Sequence, residues 1–307
     1  MRTGRFETME YYGAKTRTEA LALVKKWKGK ARLVAGGTNV VADLRDRAFR
    51  PEVLIDISRL KTLSYIKEEK EKIRIGTLTT LSEIVSSKII QKHASILAEA
   101  ARRIGNPLVR NRATIGGNLG DASPAADTAP PLLALDALVR IDKEDGKSRQ
   151  VPINEFFVGP NRTVLKEDEI IPEIILPKPK PSARAAYAKF GLRNSMAISV
   201  VSVAVLVEVE KGICKKARVA LGAVSPTPVR AYGVEEILTG CAITEERIAK
   251  CSEKVQSEIH PITDIRASDE YRRSMASVLL GRLLRQVARK EKHQITSTKS
   301  QINSKFQ

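Results

Sequence analysis

Within the fourteen residues from Thr114 to Asp127 the chain places Gly116, Gly117 and Gly120 among the short polar residues Thr114, Asn118, Asp121 and Ser123, then sets Pro124 ahead of a carboxylate, Asp127. A segment of that composition offers its backbone for contact, because glycine turns through positive φ and leaves no Cβ between a ligand and the peptide N–H groups. The device occurs again at Ala35-Gly36-Gly37-Thr38-Asn39, directly after the apolar residues Leu33 and Val34. Two such bends call for a fold in which strand ends deliver main chain to a ligand. Successive free N–H groups suit a phosphate or pyrophosphate.

The common nucleotide motifs are absent. There is no Gly-x-Gly-x-x-Gly, and Gly146-Lys147-Ser148 lacks the glycine five residues earlier that a P-loop needs, where Ile141 stands.

The elements around the bends read as mixed α and β. Thr16 and Glu19 fit a helix-capping box ahead of Ala20, Leu21, Val24 and Trp27. Arg32 to Ala35, Val53 to Ile57 and Lys72 to Gly76 read as strands, Thr80 with Glu83 caps a further helix, and a helix around Ile96 to Ile104 ends at Gly105-Asn106-Pro107. Pro130-Pro131 opens a short helix, Leu132 to Leu135, and the strand of Val139 and Ile141 breaks at Asp145-Gly146. Pro177-Lys178-Pro179-Lys180-Pro181 stops helix and sheet alike and marks a boundary. Beyond it Val201, Val203, Val205, Val207 and Val209 share one strand face, Ala217 to Val224 supplies a partner strand, and helices follow at Gly233 to Leu238, Glu245 to Glu258 and Ser268 to about Lys290. These readings divide the chain into 1–58, 59–177 and 182–290, with 291–307 a polar, disordered basic tail.

Composition narrows the function. A length of 307 residues leaves room for two or three cores, and no run of eighteen apolar residues is present to span a bilayer. The amino terminus lacks an apolar h-region, so a cytoplasmic protein is expected, and Asn161-Arg162-Thr163 is then silent as a glycosylation acceptor. Cys214, Cys241 and Cys251 form no Cys-x-x-Cys pair, which argues against a disulfide framework or a cluster site, and His93, His260 and His293 stand too far apart in sequence to suggest a metal site. A net charge of +18 admits two readings, attraction to nucleic acid, acidic membrane or an acidic partner subunit, and a solvated lysine-rich surface. With aromatic residues at 4%, stacking platforms for single-stranded nucleic acid are scarce.

No Ser/His/Asp or Cys/His constellation and no paired carboxylates emerge, so the hard chemistry falls to a cofactor. Ala35 to Asn39, Arg110 to Asn118 and Ser123 to Asp127 closely resemble the FAD-binding subunit of molybdenum hydroxylases, the family of xanthine, aerobic carbon monoxide and nicotinate dehydrogenases. Val151 to Phe157, Glu167 to Ile171, Lys189 with Arg193, and Ser225 to Arg230 resemble the same family in the same order; Leu108 departs from the glutamine usual there.

The resemblance implies an α+β fold: a two-subdomain FAD-binding domain of the PCMH type, followed by a C-terminal α+β domain with an antiparallel sheet and helices. It implies flavin contacts at Leu33, Val34, Ala35, Gly36, Gly37, Thr38, Asn39 and Val40, at Ile104, at Thr114, Ile115, Gly116, Gly117 and Asn118, and at Asp127, Ile171 and Lys189. The amides of Gly36, Gly37, Thr38, Gly116 and Gly117 would then chelate the diphosphate, Asp127 would accept from cofactor hydroxyls, and Lys189 would set positive charge near the flavin carbonyls. On the residues alone, Asp127 reads equally as the N-cap of the Pro130 helix, and Lys189 as a surface strand lysine. The implied assembly is a dimer of heterotrimers, with a molybdopterin-binding large subunit and a small subunit carrying [2Fe-2S] clusters. This chain would pass their electrons through FAD to NAD, a quinone or dioxygen. A stand-alone flavoprotein oxidase or reductase of the same type, and a basic nucleic-acid-binding protein, are the alternatives.

Overall fold

The computed structural model describes residues 9–46 and 48–289, so the expected disordered tail at 291–307 lies outside the described residues. Three sheets follow one another along the chain. The first is three-stranded and parallel, in the order β1-β3-β2, built from β1 (Glu10–Gly13), α1 (Arg17–Lys26), β2 (Ala31–Val34), α2 (Val40–Arg45) and β3 (Val53–Asp56). Thr16 caps α1, its hydroxyl accepting the Glu19 N–H at 3.1 Å, but the expected box is only half formed, since the Glu19 carboxylate accepts the Lys15 N–H at 2.7 Å; Ala20, Leu21 and Val24 pack on Val53 and Ile55.

The second sheet contains β4 (Ile66–Glu68), β5 (Lys72–Gly76), β6 (Leu138–Lys143), β7 (Ser148–Pro152) and β10 (Glu169–Pro177), in the order β4-β5-β10-β6-β7. A chain of short helices lies between β5 and β6: α3 (Leu81–Ser86), α4 (Lys88–His93), α5 (Ser95–Arg102), α6 (Pro107–Arg110), α7 (Ile115–Asp121) and α8 (Ala129–Ala134). The capping box at α3 is complete, with Thr80 and Glu83 exchanging bonds in both directions. After β7 come α9 (Ile153–Phe156) and the small ribbon β8 (Phe157–Gly159) with β9 (Arg162–Thr163). At the centre, β10 buries Glu173, which would be costly alone. Burial works to raise the Glu173 pKa, but bonds from Arg74 (2.6 Å) and Tyr65 (2.6 Å) outweigh it and hold the carboxyl below its ordinary value.

The third sheet, β11 (Ala183–Phe190), β12 (Val201–Glu210), β13 (Ile213–Gly222) and β14 (Val229–Arg230), is an antiparallel meander, followed by α10 (Tyr232–Leu238), α11 (Glu245–Ser257) and α12 (Asp269–Ala288). The odd-numbered valines Val201 to Val207 face the core shared with α11 and α12. The intervening Ala204 and Leu206 face the core of the second sheet's helices. A strand covered on both faces has no polar side, which is why β12 is apolar almost throughout. Each fully buried Val or Leu here is worth about 1.5–3 kcal/mol, so the interface between the two cores contributes to the stability of both.

Candidate functional site

A cavity of about 310 Å³ opens where the first sheet meets α7 and the start of β10. Its wall begins at the end of β2. There the chain passes through Ala35-Gly36-Gly37-Thr38 and enters α2 at Asn39, with Gly37 at φ 74°. Among the described residues, the amides of Gly36, Gly37, Thr38 and Asn39 find no hydrogen-bond acceptor, although the Gly37 and Asn39 carbonyls accept the first bonds of α2. Four successive unpaired donors on one cavity wall, half-buried at Gly36 and Gly37 and exposed at Thr38 and Asn39, form a concavity suited to an anionic acceptor.

The second glycine segment is a helix, not a loop. Thr114 caps α7, its Oγ1 accepting the Gly117 N–H at 3.0 Å. The Gly116 amide donates to the Thr77 carbonyl at 2.9 Å, and that of Ile115 to the Thr79 carbonyl at 3.0 Å. The glycines serve packing: a Cβ on Gly116 would stand 1.6 Å from Thr77 Oγ1, and one on Gly36 1.9 Å from the Arg112 carbonyl oxygen. That close approach, together with a bond of 2.8 Å from Asn39 Nδ2 to Asp121 Oδ2, brings the two elements to the same cavity.

Leu33, Ala35, Gly36, Gly37, Thr38, Asn39, Val40, Ile104, Thr114, Gly116, Gly117, Asn118 and Ile171 line this cavity. Val34, Ile115, Asp127 and Lys189 are not in its wall, and Ile115 is fully buried in the core. Leu108 stands 76% exposed on α6, also off the wall. Arg32, Asp121, Leu165, Glu167 and Ile170 also line the cavity, although none of them is among the flavin contacts that the resemblance implies. Had Thr114–Asp121 been read as a helix, the i, i+4 spacing from Gly117 would have pointed to Asp121.

Asp127 and Lys189 instead form a buried pair at 2.6 Å, each side chain 7% exposed, joining the second sheet's helices to the third sheet. The ammonium also donates to the carbonyls of Ala197 (2.9 Å) and Arg103 (3.3 Å), which uses its three donors. Asp127 further accepts from Tyr187 at 3.2 Å and from Ser199. Burial, and then the Asp127 charge, push the Tyr187 phenol well above its ordinary pKa. Thr128, not Asp127, occupies the N-cap of α8, without a capping bond, its hydroxyl donating instead to Asn118 Oδ1 at 2.5 Å. Lys189 holds the main chain one residue before Ile104, a cavity-lining residue.

Among the described residues no group of three or more His, Cys, Asp or Glu could hold a metal ion, and no helix is long and apolar enough to cross a membrane.

Residues 5–179 match the family described as the FAD binding domain in molybdopterin dehydrogenase, and residues 185–287 match the CO dehydrogenase flavoprotein C-terminal domain. The chain is 34% identical over 269 residues to the nicotinate dehydrogenase FAD-subunit of Eubacterium barkeri, covering 86% of this chain and 90% of that one. It is 33% identical over 275 residues to the carbon monoxide dehydrogenase medium chain of Hydrogenophaga pseudoflava, covering 90% and 95%. A solved structure of carbon monoxide dehydrogenase from that organism, lacking the Mo-pyranopterin moiety of the cofactor, superposes with a TM-score of 0.88 at 33% identity over 91% of this chain and 96% of the other.

Proposed function

We propose that this chain, which belongs to the family of FAD-binding subunits of molybdenum hydroxylases, holds FAD in the cavity beside its first sheet and relays electrons from the [2Fe-2S] clusters of a small partner subunit to NAD, a quinone or dioxygen. The run of unpaired amides from Gly36 to Asn39 carries the reading of the site. A diphosphate presents the acceptors they lack, and the cavity lies within the range of about 300–1,000 Å³ usual for small-ligand sites. Leu33, Ile104 and Ile171 supply apolar walls that exclude water from a ring system, and α7 forms the opposite wall. FAD, when bound, supplies exchange between one-electron and two-electron donors.

Lys189 and Asp127 fix the wall at Ile104 through the Arg103 carbonyl, joining the C-terminal domain to the cofactor domain. A direct bond from Lys189 to a flavin carbonyl would replace one of its three present acceptors. A large molybdopterin subunit and a small iron–sulfur subunit would complete the machine, as a dimer of heterotrimers. Purification of the chain with its neighbours in the genome tests this: flavin absorption with one FAD per chain and co-purifying iron and molybdenum are expected. A colourless chain would sink the site, and a flavin-bearing chain that never associates with metal-containing subunits would sink the relay.

A further inference from the structure

Asp121 stands in the cavity wall at the carboxyl end of α7, with a side chain 14% exposed. It is fastened from two sides. Its Oδ2 accepts the Asn39 side-chain N–H at 2.8 Å, and its main-chain carbonyl accepts from Asn161 Nδ2 at 3.0 Å, while the Asn161 amide donates to the next carbonyl, that of Ala122, at 2.9 Å. Arg32, reaching in from β2, approaches its other carboxylate oxygen at 4.0 Å. Asn39 is the last residue of the bend whose amides lack partners, and no side-chain cap of its own holds it at the start of α2.

We propose that Asp121 is a positioning residue for the cofactor bend: its carboxylate grips the Asn39 side chain, and through it holds the amides of Gly36 to Asn39 in the orientation that receives a diphosphate. The inference rests on the FAD reading of the cavity. An acid beside a site for a dianion is electrostatically unfavourable, so its presence needs a compensating role, and the Asn39 bond is that role. The tether removes conformational freedom from a four-residue bend before ligand arrives, which is preorganisation.

The same geometry couples cofactor binding to protons. The charged groups facing Asp121 are Arg32 from β2 and Asp43 from α2; Asn39 and Asn161 are neutral. Burial raises the Asp121 pKa, and the Asn39 bond and Arg32 only partly oppose it. Because the folded value lies above the unfolded one, the stability from this group is complete below the ordinary carboxylate value and is lost as pH rises through the folded value. A bound diphosphate pushes the same way, so FAD affinity falls as pH rises through that interval.

The test is FAD titration of the flavin-stripped full chain, followed by flavin fluorescence, for wild type, Asp121→Ala, Asp121→Asn and Asn39→Ala. Asp121→Ala and Asn39→Ala should each weaken binding about tenfold, as for loss of a charge-assisted hydrogen bond. The double variant should lose no more than either single one. Asp121→Asn keeps an oxygen for Asn39, so it should bind at least as tightly as wild type and lose the pH dependence. Equal weakening in Asp121→Asn and Asp121→Ala would overturn the tether, and wild-type affinity in Asp121→Ala would overturn the role altogether. If Asp121→Ala does not fold, Asn39→Ala and Asp121→Asn decide between the same outcomes. Absence of FAD binding in the wild type would instead be a failure of the site assignment.

Discussion

The two glycine elements share a Gly-Gly pair with Thr and Asn beside it, yet they do different work. In the first, Gly37 takes φ 74° and four amides stay unpaired in a cavity wall. In the second, Thr77, Thr79 and Thr114 take up the amides of Gly116, Ile115 and Gly117, and the absence of a Cβ lets α7 lie against the end of β5. Gly-Gly in a sequence therefore signals close approach, but only an accounting of hydrogen-bond acceptors tells whether the approach is to a ligand or to the protein itself.

The largest expected effects come from the glycines that touch protein. Gly36→Ala puts a Cβ 1.9 Å from the backbone oxygen of Arg112, which no rotamer change relieves, and Gly116→Ala puts one 1.6 Å from Thr77 Oγ1 and 2.8 Å from the Thr77 carbonyl oxygen. Each should cost about 3 kcal/mol in denaturant unfolding, the upper end of what overpacking usually costs. Thr77→Ala should recover part of the loss from Gly116→Ala and none of that from Gly36→Ala. If either single variant unfolds like wild type, the packing role given to that glycine is wrong.

Much of this was legible in the sequence, and what escaped did so for physical reasons. The Thr16 and Thr80 caps, the Asp145-Gly146 turn and the helices beyond Tyr232 depend on local chemistry and stand where local signals put them. The glycine segment was expected to be a loop, because three glycines within seven residues oppose a helix on propensity; tertiary bonds to Thr77 and Thr79 and the Thr114 cap override that. Both faces of β12 are buried, whereas the valine pattern alone suggested one, since Ala204 is too small to announce the second. The pairing of Asp127 with Lys189 spans 62 residues and has no local signal.

Gly37 should show the opposite balance from Gly36 and Gly116. An added Cβ meets Val41 Cγ2 at 3.4 Å and Val34 Cγ1 at 3.8 Å, both ordinary contacts, so the cost is confined to the left-handed backbone, about 1–2 kcal/mol for alanine. Cofactor retention should suffer more than stability, because a shift of φ re-aims the unpaired amides. Gly37→Asn, which tolerates that region better, should be milder on both counts. A Gly37→Ala chain that retains full flavin after gel filtration would contradict the donor role of the bend.

Thr114→Ala is expected to be the mildest and to distinguish the two elements most directly. Its hydroxyl accepts the Gly117 N–H at 3.0 Å as the N-cap of α7, and losing such a cap costs about 1 kcal/mol. Thr114→Ser keeps the oxygen and should restore most of that stability. Removal of the hydroxyl also leaves the Gly117 amide unpaired on a residue that lines the cavity, giving the second element a donor of the kind the first already has. If the first bend alone grips the diphosphate, flavin affinity in Thr114→Ala stays close to wild type while thermal stability drops. Loss of flavin at unchanged stability would mean that the Thr114 hydroxyl bonds the cofactor directly, and the division of labour between the two glycine elements would have to be redrawn.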